Sequence, residues 1–343
     1  MENPAWSAHL HRSAEERSRP GLIDDLLAAP DTRVLDWTPE GALVDLTGPT
    51  AALVLDRVTA SSSDAASGDP SDDPAGDAER LVIFLGRDDT GAAWLAVIGP
   101  ASAQPQDRSR ARRGLRDVGH RLSPLEVEAF MTAQGLASWH ATHPRCPRCG
   151  ARTDPALAGW VRRCRADGSD HYPRTDPAVI MAVIDAHDRL LLARSPAWPA
   201  NRRSVLAGFV EPGERLEAAV AREVAEEVGV TVRDVRYVGS QPWPFPASLM
   251  LGFTARTDDE QLAIDDSEIV TAQWYTREQL RVAVADGSLG LPGPLSIARR
   301  LIEGWFGEPL TPPKELPFHR RDPVVDGPLD GPTVEGPPEE EAS

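Results

Sequence analysis

Acidic side chains recur in the second half of the chain at a spacing that suits a helix. Glu223, Glu226 and Glu227 stand at positions i, i+3 and i+4, so on a helix their carboxylates would converge on one face. The alanines and valines around them, with Gly229 as a stop, predict that helix over about 217–228. Clustered carboxylates repel one another unless a cation lies among them, and hard oxygen ligands suit Mg²⁺ or Mn²⁺. The segment therefore predicts a divalent-metal site that can bridge substrate phosphates.

The residues around this helix complete a longer pattern. Gly208 is followed after five residues by Glu214 and after seven more by Arg222-Glu223, and the pattern closes at Gly229. It resembles the Nudix box, G-x5-E-x7-R-E-U-x-E-E-x-G-U with U aliphatic, and departs from it at no position. Seven fixed residues would coincide by chance about once in 10^8 windows, so an ordinary solvated acidic helix is disfavoured. The resemblance implies hydrolysis of a nucleoside diphosphate linked to another moiety.

The resemblance also implies roles within the box. The metal ligands would be the backbone carbonyl of Ala207 and the carboxylates of Glu223 and Glu227. Glu214 would pair with Arg222 and hold the loop to the helix. Glu226 would complete the metal cluster or act as the base, and the sequence does not divide these roles. Gly208 and Gly213 are expected to permit the turns that bring backbone carbonyls near the metal.

A proline-rich strip begins eleven residues after Gly229 and reads Ser240-Gln241-Pro242-Trp243-Pro244-Phe245-Pro246-Ala247-Ser248. Alternating prolines and aromatics predict a rigid, extended segment that a strand interior would reject. Its rings suit stacking on a flat base or nicotinamide, and a packed loop with buried aromatics is the alternative. The strip is similar to the signature of the NADH pyrophosphatase branch of the Nudix hydrolases. That resemblance implies cleavage of NAD(H) at its diphosphate to AMP and nicotinamide mononucleotide.

The same branch includes enzymes that remove NAD caps from RNA 5′ ends. By correspondence, substrate would lie along 241–248, stack on Tyr172 and Phe209, and meet the backbone of Ala298. Glu268 would supply one more metal-binding carboxylate, with a plain loop glutamate as the alternative. Arg116 would reach substrate phosphate from the N-terminal domain, and a surface arginine is the equal alternative.

The chain has three cysteines, and two of them form a C-x2-C knuckle, Cys146-Pro147-Arg148-Cys149-Gly150. This is one half of a zinc ribbon. The family places a second C-x2-C fourteen residues later, where Cys164 matches its first member and Asp167 replaces the fourth cysteine. Zn²⁺ held by three cysteines with Asp167 or His171 is one reading, and a ribbon that folds without metal is the other. Thiol redox chemistry is disfavoured because no thioredoxin-like context surrounds Cys146.

The chain of 343 residues is long enough for two folded domains. We expect an N-terminal NADH-pyrophosphatase-like α+β domain over 1–140, interrupted by a disordered insertion at 60–77. A zinc-ribbon-like module over 141–174 and an α/β/α Nudix sandwich with a mixed sheet over 175–310 follow, and a disordered acidic tail occupies 311–343. The runs Ala51–Leu55 and Leu81–Leu85 predict strands that are neighbours in one sheet. Capping boxes at Ser123 and Thr276 predict helix starts.

The formal net charge of −17 belongs mostly to two short acidic stretches. Residues 60–77 carry five acidic residues, residues 322–343 in the tail carry seven, and neither stretch contains a basic residue. The acidic net charge argues against broad electrostatic binding of nucleic acid, so any RNA would be recognised through its cap. No signal peptide or membrane span is evident. Three cysteines fit no disulfide framework, which indicates a reducing cytoplasm.

The sequence therefore predicts a metal-dependent NAD(H) diphosphatase, homodimeric as the family generally is, with removal of NAD caps from RNA as its close rival. An ADP-ribose or other dinucleotide pyrophosphatase is disfavoured by the strip at 240–248. A non-catalytic ligand sensor on the same fold is disfavoured because a sensor has no need of a repelling carboxylate cluster.

Overall fold

The computed structural model of the chain describes residues 9–48, 50–56, 80–100, 105, 109–264 and 268–311. The predicted insertion at 60–77, the tail from 312 onward and the first eight residues lie outside the described residues. Among the helices in these ranges, none combines the length and the apolar character needed to cross a bilayer.

The N-terminal part is built on a seven-stranded mixed sheet. Its strands are β1 Arg33–Thr38, β2 Gly41–Asp45, β3 Ala52–Leu53, β4 Leu55–Asp56, β5 Leu81–Arg87, β6 Ala93–Ile98 and β7 Arg110–Arg113. Its helices are α1 Leu22–Ala28, α2 Leu115–Val118 and α3 Pro124–Thr142. The prediction that the strands flanking 60–77 are neighbours is wrong, because β1 and β6 lie between β4 and β5. An apolar run indicates burial but does not select the strand it pairs with.

Helix α3 begins as predicted. Ser123 accepts a hydrogen bond from the Glu126 amide, and the Glu126 side chain accepts one from the Ser123 amide. Proline at the first helical position adds to this start. The helix packs into the apolar core of the N-terminal part, which we call the first core. This core also contains Leu35, Ile83 and Trp94.

A small three-stranded antiparallel sheet follows α3, with strands β8 Thr153–Ala156, β9 Val161–Cys164 and β10 Asp170–His171. Its junction with α3 is a buried polar network. Arg162 donates to His140 Nδ1 (2.9 Å) and to Thr153, so His140 Nε2 carries the proton and donates to the Gly159 carbonyl (2.8 Å). Burial lowers the pKa of His140 to about 4, which keeps the ring neutral.

The last part is a six-stranded mixed sheet between helices. Its strands are β11 Asp176–Ile184, β12 Leu190–Arg194, β13 Leu206–Phe209, β14 Arg233–Trp243, β15 Ser248–Arg256 and β16 Thr271–Tyr275. Its helices are α4 Leu216–Val228, α5 Arg277–Ala285 and α6 Ile297–Phe306. The order is β14-β15-β11-β12-β16, with β13 on β11; β11 and β15 are parallel and the other pairs antiparallel.

Strand β11 separates two apolar cores. Val179, Met181 and Val183 pack in the core that contains α4. Their neighbours Ile180, Ala182 and Ile184 pack in the core that contains α5 and α6. Because successive strand residues point to opposite faces, one fully apolar strand serves both helical layers. The predicted α/β/α sandwich with a mixed sheet is confirmed.

The predicted proline-rich strip lies partly within a strand. Ser240 to Trp243 are the end of β14, Pro244 to Ala247 form a turn, and Ser248 begins β15. The prediction that a strand would reject this segment is therefore wrong for its first half. Strand β14 is at the edge of the sheet, where a proline removes no ladder hydrogen bond.

Candidate active site

The Glu223 carboxylate on α4 lies directly against the backbone of Gly208 on β13. A Cβ added to Gly208 would be 1.8 Å from Glu223 Cδ and 2.1 Å from each carboxylate oxygen. Gly208 therefore makes room for a carboxylate, and it does not form the turn that the sequence predicted; only Gly213 has a positive φ, of 86°. Ala207 immediately precedes Gly208 on β13, so its backbone lies beside the same carboxylate.

Arg222 on α4 connects this helix to strand β13 and to the loop between them. Its Nε and Nη2 donate to the two Glu214 carboxylate oxygens, each at 2.9 Å, which gives the predicted bidentate pair. Nη1 donates to Glu223 and Glu226, and Nη2 donates to the Phe209 carbonyl, all at 2.9 Å. The hydrogen bonds from Arg222 hold the pKa of Glu214 below its usual value. The network fixes the Glu223 carboxylate in place.

Three carboxylates form a compact oxygen cluster: Glu223, Glu227 and Glu268 offer oxygens that all lie within 4.8 Å of one another. Burial, and then the charges of Glu223 and Glu268, raise the pKa of Glu227 to about 8. Burial also raises the pKa of Glu223. Glu227 Oε2 is buried and has no hydrogen-bond partner within the described residues. An oxygen-rich group with an unsatisfied buried oxygen fits a divalent cation such as Mg²⁺ or Mn²⁺.

Glu226 lies outside this cluster, which corrects the prediction that three helix carboxylates converge. Residues on a helix are separated by about 100°, so Glu226 and Glu227 cannot both face the same neighbour. Glu226 is 58% exposed at its side chain and binds Arg222. The third carboxylate comes instead from Glu268, in the turn before β16. A role for Glu226 as base or ligand stays a prediction.

The turn after β14 brings two aromatic rings against an arginine of the N-terminal part. Trp243 and Phe245 meet edge to face with ring centroids 5.1 Å apart. The Arg116 guanidinium lies 4.1 Å from the Phe245 ring centroid and 5.5 Å from that of Trp243. Phe245 also packs on the first core, so the turn links the two large parts of the chain. The predicted contact of Arg116 with substrate phosphate stays a prediction.

Gln241 and Ala298, both predicted to contact substrate, are engaged within the protein. The Gln241 side chain is fully buried, accepts from the Ile297 amide (2.7 Å) and donates to the Leu295 carbonyl (2.8 Å). The Ala298 amide donates to Ser296 Oγ, the cap of α6. Gln241 thus fixes the start of α6 beside the strip. Substrate contact with its side chain would require Gln241 to become exposed, because it is fully buried in the protein.

Two predicted stacking residues are exposed. Tyr172 is 67% exposed and Phe209 is 55% exposed, and no ring contact joins them in the described ranges. Phe209 pairs in register with Ala178, so its side chain is on the sheet face covered by α5 and α6. Gly208, its neighbour, faces α4. The end of β13 therefore presents the carboxylate cluster on one side and an open aromatic ring on the other.

The predicted zinc ligands are together in the small sheet. Cys146, Cys149, Cys164 and Asp167 offer ligand atoms that all lie within 4.8 Å of one another. The two knuckles repeat one geometry, because the Gly150 amide donates to the Cys146 carbonyl and the Gly168 amide to the Cys164 carbonyl. Both glycines have positive φ. Asp167 occupies the position of the second knuckle's outer cysteine, and His171 is not in the group.

The donors around these cysteines favour a metal. Burial would raise the pKa of the Cys146 thiol, but amide hydrogens of Arg148 and Cys149 lower it to about 6. Ser169, which the sequence analysis missed, donates through its amide and its hydroxyl to Asp167 Oδ1. The Asp-x-Ser spacing was the signal for this turn. Three sulfurs and one carboxylate oxygen are a ligand set that Zn²⁺ accepts.

Comparisons with known proteins match both regions. The NUDIX domain profile matches residues 174–290, and the NADH pyrophosphatase zinc ribbon domain profile matches residues 141–172. The box, the strip from 240 to 248 and Glu268 all lie within the first match. The three cysteines and Asp167 lie within the second.

Relatives with curated names match longer stretches of the chain than either profile does. A protein named NAD-capped RNA hydrolase NudC from Mycobacterium bovis is 46% identical over 236 residues, which are 65% of this chain and 75% of that protein. The Mycobacterium tuberculosis protein of the same name is 45% identical over the same length. NAD-capped RNA hydrolase NUDT12 from Homo sapiens is 38% identical over 197 residues, 54% of this chain and 43% of that protein.

Proposed function

Because the chain belongs to the Nudix hydrolase family, we propose that it is a metal-dependent diphosphatase of NAD(H) that also removes NAD caps from RNA 5′ ends. The products are AMP, or RNA with a 5′ monophosphate, and nicotinamide mononucleotide. The observation that carries the proposal is the group of Glu223, Glu227 and Glu268, in which a buried Glu227 oxygen has no protein partner among the described residues.

Each residue of the site has a part in this reaction. Glu223, Glu227 and Glu268 would hold Mg²⁺ or Mn²⁺, and the carbonyl of Ala207 would be a further ligand. When bound, such a metal neutralises the diphosphate and makes a bound water more acidic. Glu214 and Arg222 keep the loop and the Glu223 carboxylate in position. Glu226, exposed beside Arg222, is free of the ligand cluster and is the candidate base.

The substrate rings bind at the end of β13, on the opposite side of the strand from this cluster. Phe209 offers an exposed ring one residue from Gly208, and Tyr172 offers a second. The strip from Gln241 through Ser248 forms the adjacent end of the sheet, and Arg116 stacks on its aromatics. A flat nicotinamide or adenine ring suits such surfaces. An ADP-ribose pyrophosphatase would use the same metals, but would not need the second ring.

The activity is tested by product analysis. We expect the full chain with NADH and Mg²⁺ or Mn²⁺ to release AMP and reduced nicotinamide mononucleotide in equal amounts, because one anhydride bond is cut. Chromatography of the reaction measures both products, and a reaction in excess chelator is the control. Failure to form AMP with every divalent metal tried would refute the enzyme. A faster reaction with ADP-ribose than with NADH would favour that alternative substrate.

We also propose that the small sheet holds Zn²⁺ through Cys146, Cys149, Cys164 and Asp167. Elemental analysis of the purified chain should find about one zinc per chain. Asp167→Ala should reduce the content to less than half, because one of the four ligands is lost, and Asp167→Cys should restore it. His171→Ala is the matched control and should keep the zinc. A zinc content that falls with His171→Ala but not with Asp167→Ala would assign the fourth ligand to His171.

A homodimer in a reducing cytoplasm completes the proposal. Large apolar side chains outside the proposed ring site, Tyr237 and Val282, are also exposed on the single chain, as side chains on surfaces that meet a second copy are. The three cysteines are free thiols, which fits a reducing compartment.

A further inference from the structure

An arginine-rich cleft of about 860 Å³ opens between α6 and the edge strand β14, and it shares no residue with the carboxylate cluster. Five arginines and three aspartates line it: Arg233, Arg236, Arg256, Arg277, Arg300, Asp185, Asp188 and Asp234. These residues give the cleft two net positive charges, in a chain whose formal charge is −17. The cleft is thus locally basic in an acidic chain, and its positive charge favours binding of an anion.

One of these arginines is available to a ligand. Asp188 binds Arg277 and lies 3.6 Å from Arg256, and Arg233 binds Asp234 and Asp258. Arg236, by contrast, is exposed and forms no ion pair or hydrogen bond with any residue in the described ranges. A guanidinium is a planar, permanently charged fork that matches phosphate oxygens. The chemistry of the cleft therefore selects phosphate groups.

The cleft lies on the same sheet face as the exposed ring of Phe209. Phe209, Ala178, Met250 and Gln241 form one row across neighbouring strands of the sheet. Arg236 pairs with Thr254, four residues along β15 from Met250. The two rows are about 13 Å apart along the strands, and Phe209 on β13 is three strand spacings of about 4.8 Å from β14, so Arg236 is roughly 20 Å from Phe209. A chain that leaves the ring site along α6 reaches Arg236 within a few nucleotides.

We propose that this cleft binds the phosphate backbone of the RNA that follows an NAD cap. The proposal rests on the proposed function, because it needs a capped RNA in the active site. It also refines the expectation, drawn from net charge alone, that RNA is held through its cap only. Backbone phosphates carry no base sequence, so the cleft contributes affinity without sequence preference, and that affinity weakens with salt.

The test compares two substrates in one enzyme. Full-length chain, Arg236→Ser and the control Arg281→Ser are assayed on NADH and on an NAD-capped RNA of about ten nucleotides, a typical single-strand site size. Arg281 is an exposed arginine on α5 outside the cleft, bound to Glu278 and Glu308. For Arg236→Ser we expect NADH turnover within about twofold of the parent. Its kcat/KM for capped RNA should fall by about five- to tenfold at low salt. The slope of log(kcat/KM) against log salt concentration should be shallower than that of the parent by about 0.7. Arg281→Ser should keep both activities.

An unchanged ratio of the two activities in Arg236→Ser would overturn the proposal. So would a change in its sedimentation, since the cleft would then be an interface between copies of the chain. Fluorescence anisotropy of an uncapped RNA of the same length keeps the test independent of catalysis. If the parent fails to cleave NADH, the proposed function fails, whereas a several-fold weaker affinity of Arg236→Ser for this RNA would still support the cleft. Equal affinity of parent and variant would refute it.

Discussion

Replacing Glu227 with glutamine should lower NADH turnover by about 100-fold or more, the usual scale for losing an electrostatic contact in the transition state. At pH values above 8, the same change should also raise the thermal unfolding midpoint of the metal-free protein. Both effects follow from one property of Glu227, a carboxylate buried among other carboxylates with one oxygen lacking a protein partner within the described residues. Glutamine keeps the size of the side chain and removes its charge.

The pH dependence of stability has a definite sign. Burial raises the pKa of Glu227 from 4.5 to about 8, so the folded, metal-free protein binds the proton more tightly than the unfolded chain. Its contribution to stability is complete below about pH 4.5 and is lost as the pH rises towards 8. Glutamine cannot ionise, so the variant does not lose this stability as the pH rises. The difference in thermal midpoint should grow between these two pH values and then level off.

The measurement is a series of melting curves in chelator from pH 4 to 9, paired with NADH assays in Mg²⁺. Glu217→Gln is the matched control, because Glu217 is an exposed glutamate on the same helix and outside the cluster. It should leave turnover and the pH profile of the midpoint unchanged. Near-parental turnover in Glu227→Gln would exclude Glu227 as a metal ligand, and a midpoint difference independent of pH would contradict the shifted pKa.

Gly208→Ala should also abolish most turnover, by about 100-fold, although it adds only one methyl group. The added carbon would lie 1.8 Å from Glu223 Cδ, so the carboxylate has to move. A displacement of about 1 Å at a reacting group can cost that much in rate. The backbone at Gly208 is an ordinary strand without positive φ, so the substitution introduces no dihedral strain of its own.

The matched control for this change is Gly239→Ala. Gly239 lies on β14 of the same sheet, and a Cβ added there meets no atom within 4 Å in the described structure. This variant should keep parental turnover, whereas Gly208→Ala should also bind Mn²⁺ more weakly in a titration. Turnover of Gly208→Ala within about threefold of the parent would show that Glu223 can move without loss.

Local patterns predicted much of this structure. The helix from Leu216 to Val228 and the capping boxes at Ser123 and Thr276 follow from short-range spacing, and the structure contains them. The Glu214–Arg222 pair and the group of Cys146, Cys149, Cys164 and Asp167 were implied by the family resemblance, and the structure contains them too. In each case the interacting residues are close in sequence or belong to one repeated turn, so the chain brings them together over short loops.

Features that depend on long-range packing were predicted less well. Spacing alone did not show that Glu226 turns to Arg222. Glu268 was expected in the metal site from the family resemblance and not from spacing, because its place in the cluster depends on how a distant turn packs. The need for glycine at position 208 likewise depends on tertiary packing, because it arises only when the Glu223 carboxylate on α4 lies against β13. Strands β1 and β6 separate β4 from β5 in the sheet. An apolar run indicates that a strand is buried, but it does not indicate which strand it pairs with.

Arg222 has five N–H groups, and each of them already donates to a protein acceptor: two to Glu214 and one each to Glu223, Glu226 and Phe209. This guanidinium therefore has no donor left for a substrate phosphate. The negative charge of a diphosphate beside Arg222 would instead be met by a metal ion on the carboxylate cluster. An inhibitor aimed at the site should accordingly carry a metal-chelating group, because Arg222 offers it no hydrogen-bond donor.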